Sequence, residues 1–378
     1  MITLTRKQLR TARSLLRRTL GLRSRNDQTP VEIAATAEGT SVRAASQKFA
    51  IEYLFPGNPE METIVLPYAT LAECEGTRQD PVRVHTAKDQ VVLQWEEKGF
   101  PQCIWTNAKS ASNFPARPEE MQENPSSLMT LLAEAVAITS KESSRFALDC
   151  LRLRGHDGQL AATDGRQALV QAGFDFPWED ALLIPACPGF TAKEFLKEKP
   201  VRMGKTEDWV AIQSGPCTIW CRIDQQRHFP DIDRITPNES ESSITLTLTD
   251  HDASFLHSAL SRLPGKEEYN APITLDLSEN PIIRAKSTSH PTTELLLCQS
   301  TCIGEKLRCC TNRLYLARAL ELGFRSFRLK DANSPILCHK NSKTYFWAPL
   351  DQSGVLPPEE NSLQIESAPP KLTATHAA

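Results

Sequence analysis

The chain has 378 residues, 40% of them apolar, with a formal net charge of −3 and a mean hydropathy of −0.36. That length is too great for one ordinary core and predicts two or three domains, while the near-neutral charge argues against indiscriminate binding to nucleic acid. No stretch approaches the ~18 apolar residues of a membrane span. The N-terminal apolar residues are broken by Arg and lack the core of a secretory signal, so the chain is expected to be cytoplasmic with its 11 cysteines reduced.

In chain order, the first clear element is a helix. Thr5 and Gln8 have the spacing of a capping box, Leu9, Ala12, Leu16 and Leu20 mark one apolar stripe, and Gly21 suits the C-terminal cap. Arg6, Arg10, Arg13 and Arg17 fall on a second stripe of the same helix. From Arg6 to Arg25 there are eight Lys or Arg and no acid, so the net charge hides a basic element. It is either a solvated face or a phosphate-facing one.

The organisation beyond it is repetitive. Ile64–Leu66 leads into a helix over Pro67–Glu75, Leu182–Ile184 into one over Pro188–Lys197, and Leu307–Cys309 into one over Asn312–Leu322, at intervals of roughly 120 residues. The order strand, helix, three strands is expected six times, giving three α+β domains of two halves each. Val82–Thr86, Val91–Trp95, Ile244–Leu248 and Ile273–Leu277 alternate apolar with polar residues and predict antiparallel strands with one buried face. Polar runs near Ala116–Ser126 and Arg227–Glu241 set boundaries at 1–118, 119–237 and 238–352. Residues 353–378, rich in Pro, Ser, Glu and Ala, read as a disordered tail.

Catalytic and metal signatures are weak. Gly204-Lys205-Thr206 has Lys199 where a phosphate loop needs its first Gly, and it sits among strands. Cys217 and Cys221 lie on an apparent strand, and neither they nor the Cys298 and Cys302 pair shows the turn-borne spacing of a zinc site. His156-Asp157 and His251-Asp252 flank turns, and no Ser stands in a nucleophile elbow. No catalytic residue, metal or cofactor is expected.

Several short stretches share one register with a known family. Arg145–Cys150 followed by Leu160-Ala-Ala-Thr-Asp-Gly-Arg-Gln-Ala168, Phe229–Pro237, Ser334–Leu337, Thr344–Leu350 and Asn113–Pro115 resemble segments of the bacterial sliding clamp, the beta subunit of the replicative DNA polymerase. The resemblance implies three clamp domains per chain and a head-to-tail ring of two chains, which must close to avoid filaments. Helices would line the hole and sheets form the outside. The implied function is processivity, a ring around duplex DNA tethering the polymerase, without enzymatic activity. The alternative is a clamp-like paralogue serving as a protein scaffold that does not encircle DNA.

Diffuse positive charge facing phosphates suffices for sliding. The candidate DNA-facing residues are Arg6, Arg10, Arg13, Arg17, Arg23, Arg25, Lys193, Lys197, Lys199, Arg313 and Arg318. The other lining helices carry Glu73, Glu75 and Glu134. By position, the family's pocket for short linear peptides of the polymerase, clamp loader and repair proteins maps to Leu148, Thr163, Gly165, Arg166, Ala168, Pro230, Arg234, Ile235, Asn312, Tyr315, Phe346 and Ala348. Arg166-Gln167-Ala168 replaces the family's His-Arg-Leu, Ala348 its usual Met, and Asp351 a frequent Arg, so the pocket is expected to be reshaped. Ile104, Leu260 and Leu263 map to the dimer interface.

Overall fold

The computed structural model describes residues 1–22, 26–57, 61–141, 145–195 and 199–367. Among them the order strand, helix or turn, three strands recurs six times. The first run is β1 (Ile2–Thr5), α1 (Arg6–Leu20), β2 (Pro30–Thr36), β3 (Gly39–Ala45) and β4 (Phe49–Phe55). The second is β5 (Glu62–Pro67), α2 (Tyr68–Cys74), β6 (Pro81–Ala87), β7 (Gln90–Glu97) and β8 (Phe100–Asn107). The third is β9 (Gln122–Asn124), α3 (Ser127–Val136), β10 (Cys150–Arg154), β11 (Gln159–Thr163) and β12 (Gln167–Gln171). The fourth is β13 (Ala181–Pro185), a 3₁₀ turn (Pro188–Thr191), β14 (Val201–Lys205), β15 (Trp209–Ser214) and β16 (Cys217–Arg222).

A short α4 (Ile232–Ile235) precedes the fifth run of β17 (Ile244–Thr247), α5 (Asp250–Leu260), β18 (Pro272–Leu277), β19 (Ile282–Ser287) and β20 (His290–Leu296). After β21 (Thr301–Ile303) comes the sixth, β22 (Leu307–Asn312), α6 (Arg313–Glu321), β23 (Ser326–Leu329), β24 (Ile336–Lys340) and β25 (Lys343–Trp347), and then β26 (Leu363–Glu366).

The helix expected over Pro188–Lys197 is corrected to that single 3₁₀ turn. Gly189 in its first positions disfavours helix propagation, and Lys197 lies outside the described residues.

The chain divides into two compact units, Met1–Ala162 with Gly173–Phe229, and Thr163–Ala172 with the residues from Pro230 onward. In the first unit, eight strands run in the order β5-β2-β3-β4-β16-β15-β14-β9 and four in the order β1-β6-β7-β8, with antiparallel neighbours. In the second unit, β12-β25-β24-β23-β17-β21 form one sheet and β22-β18-β19-β20-β26 another. The apolar positions of the alternating strands fill the cores: Val82 and Val84 of β6, and Ile244 and Leu246 of β17, are all buried.

Local signals explain α1. Thr5 Oγ1 accepts from Gln8 N at 3.2 Å, Gln8 Oε1 accepts from Thr5 N at 2.7 Å, and Gly21 closes the helix at φ 72°, a conformation costly to residues with a Cβ. Leu9, Ala12, Leu15 and Leu16 form its buried face. Thr5→Ala removes one half of the box and is expected to cost about 1 kcal/mol, read as a shift of the urea midpoint at unchanged slope.

Part of the segment expected to be a disordered tail, up to Ser367, docks on the sheet. Leu356 N donates to Thr274 Oγ1 at 2.8 Å, Thr292 Oγ1 donates to Glu359 Oε2 at 2.8 Å, and Gln364 Nε2 donates to Glu294 Oε2 at 3.0 Å. The first of these contacts covers the face of β18 that alternation marks as wet, where Thr274 is fully buried, and the other two lie on β20. A polar, Pro-rich strip docks here because the sheet face beneath it is polar too.

Candidate functional site

In the first unit the helical elements stand side by side: α2 packs on α1, α1 on the Pro188–Thr191 turn, and that turn on α3. Arginines of α1 make the joints. Arg6, buried, donates through Nε to Cys74 O at 3.2 Å and through Nη2 to Glu75 O at 3.0 Å, capping the C-terminus of α2, while its Nη1 reaches Glu97 Oε1 at 3.1 Å. Arg13 pairs with Glu75 at 2.7 Å and lies 5.5 Å from the Tyr68 ring centre. Arg18 donates to Thr191 O at 2.9 Å.

The expected stripe of four guanidiniums therefore splits. Arg6 is buried against α2, so its assignment to a DNA-facing surface is corrected, Arg13 shares that joint while partly exposed, and Arg10 and Arg17 stay exposed. Lys193 and Lys199 are exposed as well. The pairing with Arg13 also neutralises Glu75, leaving Glu73 as the exposed acid of α2. Arg23, Arg25 and Lys197 lie outside the described residues.

In the second unit α5 packs against α6. Arg313 opens α6 but is only 2% exposed. Its guanidinium donates to Leu263 O at 2.7 Å, Pro264 O at 2.5 Å, Ala271 O at 3.1 Å, Pro272 O at 3.2 Å and Leu260 O at 3.4 Å. These are the carbonyls at and beyond the C-terminus of α5, which need donors once buried. The assignment of Arg313 to a DNA-facing surface is corrected for that reason. Arg318 is half-buried on α6.

Several residues expected in a peptide pocket cluster within the second unit. Thr163 Oγ1 donates to Gln167 O at 2.6 Å, and Asp164 Oδ1 accepts from Arg166 N at 2.8 Å and Gln167 N at 3.0 Å, with Gly165 at φ 90° in the turn. The Ala-Thr-Asp-Gly signature is thus a turn built from its own side chains. Ala168 pairs with Phe346 across β12 and β25, and Ala348 N donates to Arg166 O at 2.9 Å. Tyr345, buried one position along β25, donates to Gln167 Oε1 at 2.5 Å and to Tyr315 O at 3.5 Å. Asn312 Oδ1 caps α6 through Leu314 N at 2.8 Å.

Burial, with Asp164 as a further cause, pushes the Tyr315 hydroxyl above its usual pKa. Arg166 extends to Tyr269 Oη at 3.2 Å and Asn270 Oδ1 at 3.0 Å. Phe346 is buried, whereas Ala348 is exposed. Arg234 and Ile235 of α4 are exposed and Pro230 is half-buried. Leu148 is half-buried in the first unit. Leu314, exposed at the start of α6, was not singled out by the sequence reading; helical periodicity alone gives it no special standing.

Of the residues mapped to a dimer interface, Leu260 and Leu263 are buried within their own unit, while Ile104 is half-buried on β8. Sequence reasoning missed its neighbours: Phe100 is 69% and Trp105 60% exposed on the same edge strand. Two aromatics in the last strand of a sheet were the available signal.

Among the described residues no group of three or more His, Cys, Asp and Glu could hold a metal ion. Gly204 and Lys205 end β14 and lead to no helix. Cys217 and Cys221 are buried on β16. No described helix is long and apolar enough to cross a membrane.

The class defined by this repeated strand–helix–three-strand α+β architecture is the clamp-type fold. The solved structures agree. The sliding clamp of Bacillus subtilis superposes with a TM-score of 0.75 at 18% identity, covering 93% of this chain and 98% of that one. The DnaN sliding clamp (DNA polymerase III subunit beta) of Pseudomonas aeruginosa bound to griselimycin gives 0.74 at 17%, covering 93% and 99%. The DNA polymerase III beta subunit of Thermotoga maritima gives 0.73 at 14%, again covering 93% and 99%. No family model matches the chain, and no curated protein matches it by sequence.

Proposed function

We propose that the chain is a sliding clamp: three domains, 1–118, 119–237 and 238–352, that close head to tail with a second copy into a ring around duplex DNA and tether a polymerase without performing chemistry. The observation that carries this reading is the side-by-side layer of α2, α1, the Pro188–Thr191 turn and α3, with Arg10 and Arg17 exposed on α1. Topological linkage makes strong contacts unnecessary, so a few mobile charges toward phosphates are enough. Polymerase, clamp-loader and repair peptides would dock beside the Thr163–Arg166 turn, with Tyr315, Ile235 and Ala348 supplying apolar contacts.

The test is retention on nicked circular DNA in the presence of an active clamp loader, before and after the circle is cut. Retention on circles with loss from linear ends is expected. Arg10→Ala with Arg17→Ala is expected to reduce the log–log salt slope of duplex binding by about 2 per chain, near 0.9 per phosphate contact.

The use of Arg6, Arg13 and Arg313 for internal hydrogen bonds favours a second reading, a clamp-like scaffold that does not encircle DNA. Absence of retention on both DNA forms would select it.

A further inference from the structure

The strand pairings follow one rule. In the first unit β4, the last strand of the first run, pairs antiparallel with β16, the last strand of the fourth, setting Ile51 opposite Ile219. In the second unit β12, the last strand of the third run, pairs antiparallel with β25, the last strand of the sixth, setting Ala168 opposite Phe346. An odd-numbered run thus receives the final strand of an even-numbered one. Two strands of these types are left over, β20 of the fifth run and β8 of the second.

β8 ends its sheet with β7 as its sheet neighbour. β20 does not end its sheet, because β26 lies along it in parallel, with Thr293 opposite Leu363 and Leu296 opposite Glu366. We propose that the C-terminal segment 359–367 is an intramolecular plug that occupies the β20 edge, and that it competes there with β8 of a second copy. This rests on the ring reading above.

The plug is held firmly enough to form and lightly enough to leave. Lys286 Nζ pairs with Glu359 at 2.5 Å, Ser367 N donates to Leu296 O at 3.0 Å, and Ser367 Oγ accepts from Cys298 N at 3.1 Å. The apolar side chains of β26 bury little: Leu363 remains 56% and Ile365 40% exposed. Together with Phe255, Ala259 and Leu263 on the α5 side and Leu295 of β20, they line a groove of about 370 Å³.

The competitor is better equipped. β8 has eight residues against four, and it carries exposed Phe100 and Trp105. Following the other joints, it would pair antiparallel, the slightly more stable arrangement per residue. An uncovered edge strand is a template for another chain, and the tail removes that template until a partner displaces it.

Sedimentation equilibrium tests the plug, the monomer mass being 42.1 kDa. Four proteins are compared: the full chain, full-length Leu363→Gly with Ile365→Pro, a chain ending at Pro358, and that shorter chain carrying Trp105→Asp. Circular dichroism melts establish that each is folded. Weakening or removing the tail strand is expected to lower the dimer dissociation constant about tenfold or more, equivalent to about 1.4 kcal/mol, and Trp105→Asp to reverse it. If all but the Trp105 variant dimerise equally, the plug is overturned and the ring reading survives. If every folded protein is monomeric, the ring reading fails and the plug with it. Tail-dependent dimers indifferent to Trp105→Asp would overturn the assignment of β8 as competitor.

Discussion

Arg313→Met is expected to destabilise the second unit by on the order of 3–5 kcal/mol, the range for breaking up a buried polar network around a charge. One planar guanidinium satisfies five carbonyls, and a thioether of similar length satisfies none. Burial lowers the pKa of Arg313, yet an arginine stays charged in the folded state. Arg313→Lys should recover part of the loss, since an ammonium has three donors and no fork. Urea unfolding monitored at several salt concentrations checks the prediction. The salt slope of DNA binding should not change, because the side chain faces carbonyls rather than phosphates. A reduced slope with intact stability would restore Arg313 to a DNA-facing role.

The second large effect is expected at Arg284, buried between Asp276 and Glu294. Its Nε donates to Glu294 Oε1 at 2.6 Å, its Nη1 contacts Asp276, and Asp276 also accepts from Arg308 Nε at 2.8 Å. Burial alone would lower the Arg284 pKa, and the two carboxylates reverse that and raise it. Arg284→Met leaves the buried Glu294 without its cation and Asp276 with Arg308 alone, and is expected to cost on the order of 3–5 kcal/mol near neutral pH.

For Glu294, burial raises the pKa, but hydrogen bonds from Arg284 and Gln364 outweigh it and hold the group below its ordinary 4.5. A depressed carboxylate contributes stability above its unfolded pKa and loses it as pH falls through the folded one. The gap between the native chain and Arg284→Met should therefore narrow below pH 4.5. Unfolding midpoints measured on both sides of that value decide it; a gap independent of pH would contradict the assignment.

Local chemistry made much of this fold legible. Thr5, Gln8 and Gly21 act over one or two turns of chain, and the helix they delimit is found with those caps. The alternation around Val82–Val84 and Ile244–Leu246 likewise needs only a strand with one buried face. What was not legible depends on distant partners. Periodicity put Arg6 and Arg13 on a polar stripe, but it could not reveal the carbonyls and carboxylate at the end of α2 that claim them from 62 to 69 residues away. Arg313 looked like a first-turn cation because its acceptors lie some 40 to 50 residues upstream. The tail misled through composition: Pro, Ser and Glu lack the apolar area to build a core, yet they need none when the sheet face beneath offers Thr274, Thr292 and Glu294.

The distribution of thiols gives this architecture a native chemical reporter. Burial pushes Cys74, Cys150 and Cys309 up to about 12, with Asp149 adding to the effect at Cys150, so their thiolate fraction is very small near neutral pH. The two exposed cysteines stand at the two edges that matter. Cys103 lies on β8, and Cys298 follows β20 where Ser367 touches its backbone. Alkylating reagents therefore meet the unsubstituted chain first at its two strand borders, and the rate at which each is modified follows the covering of that border.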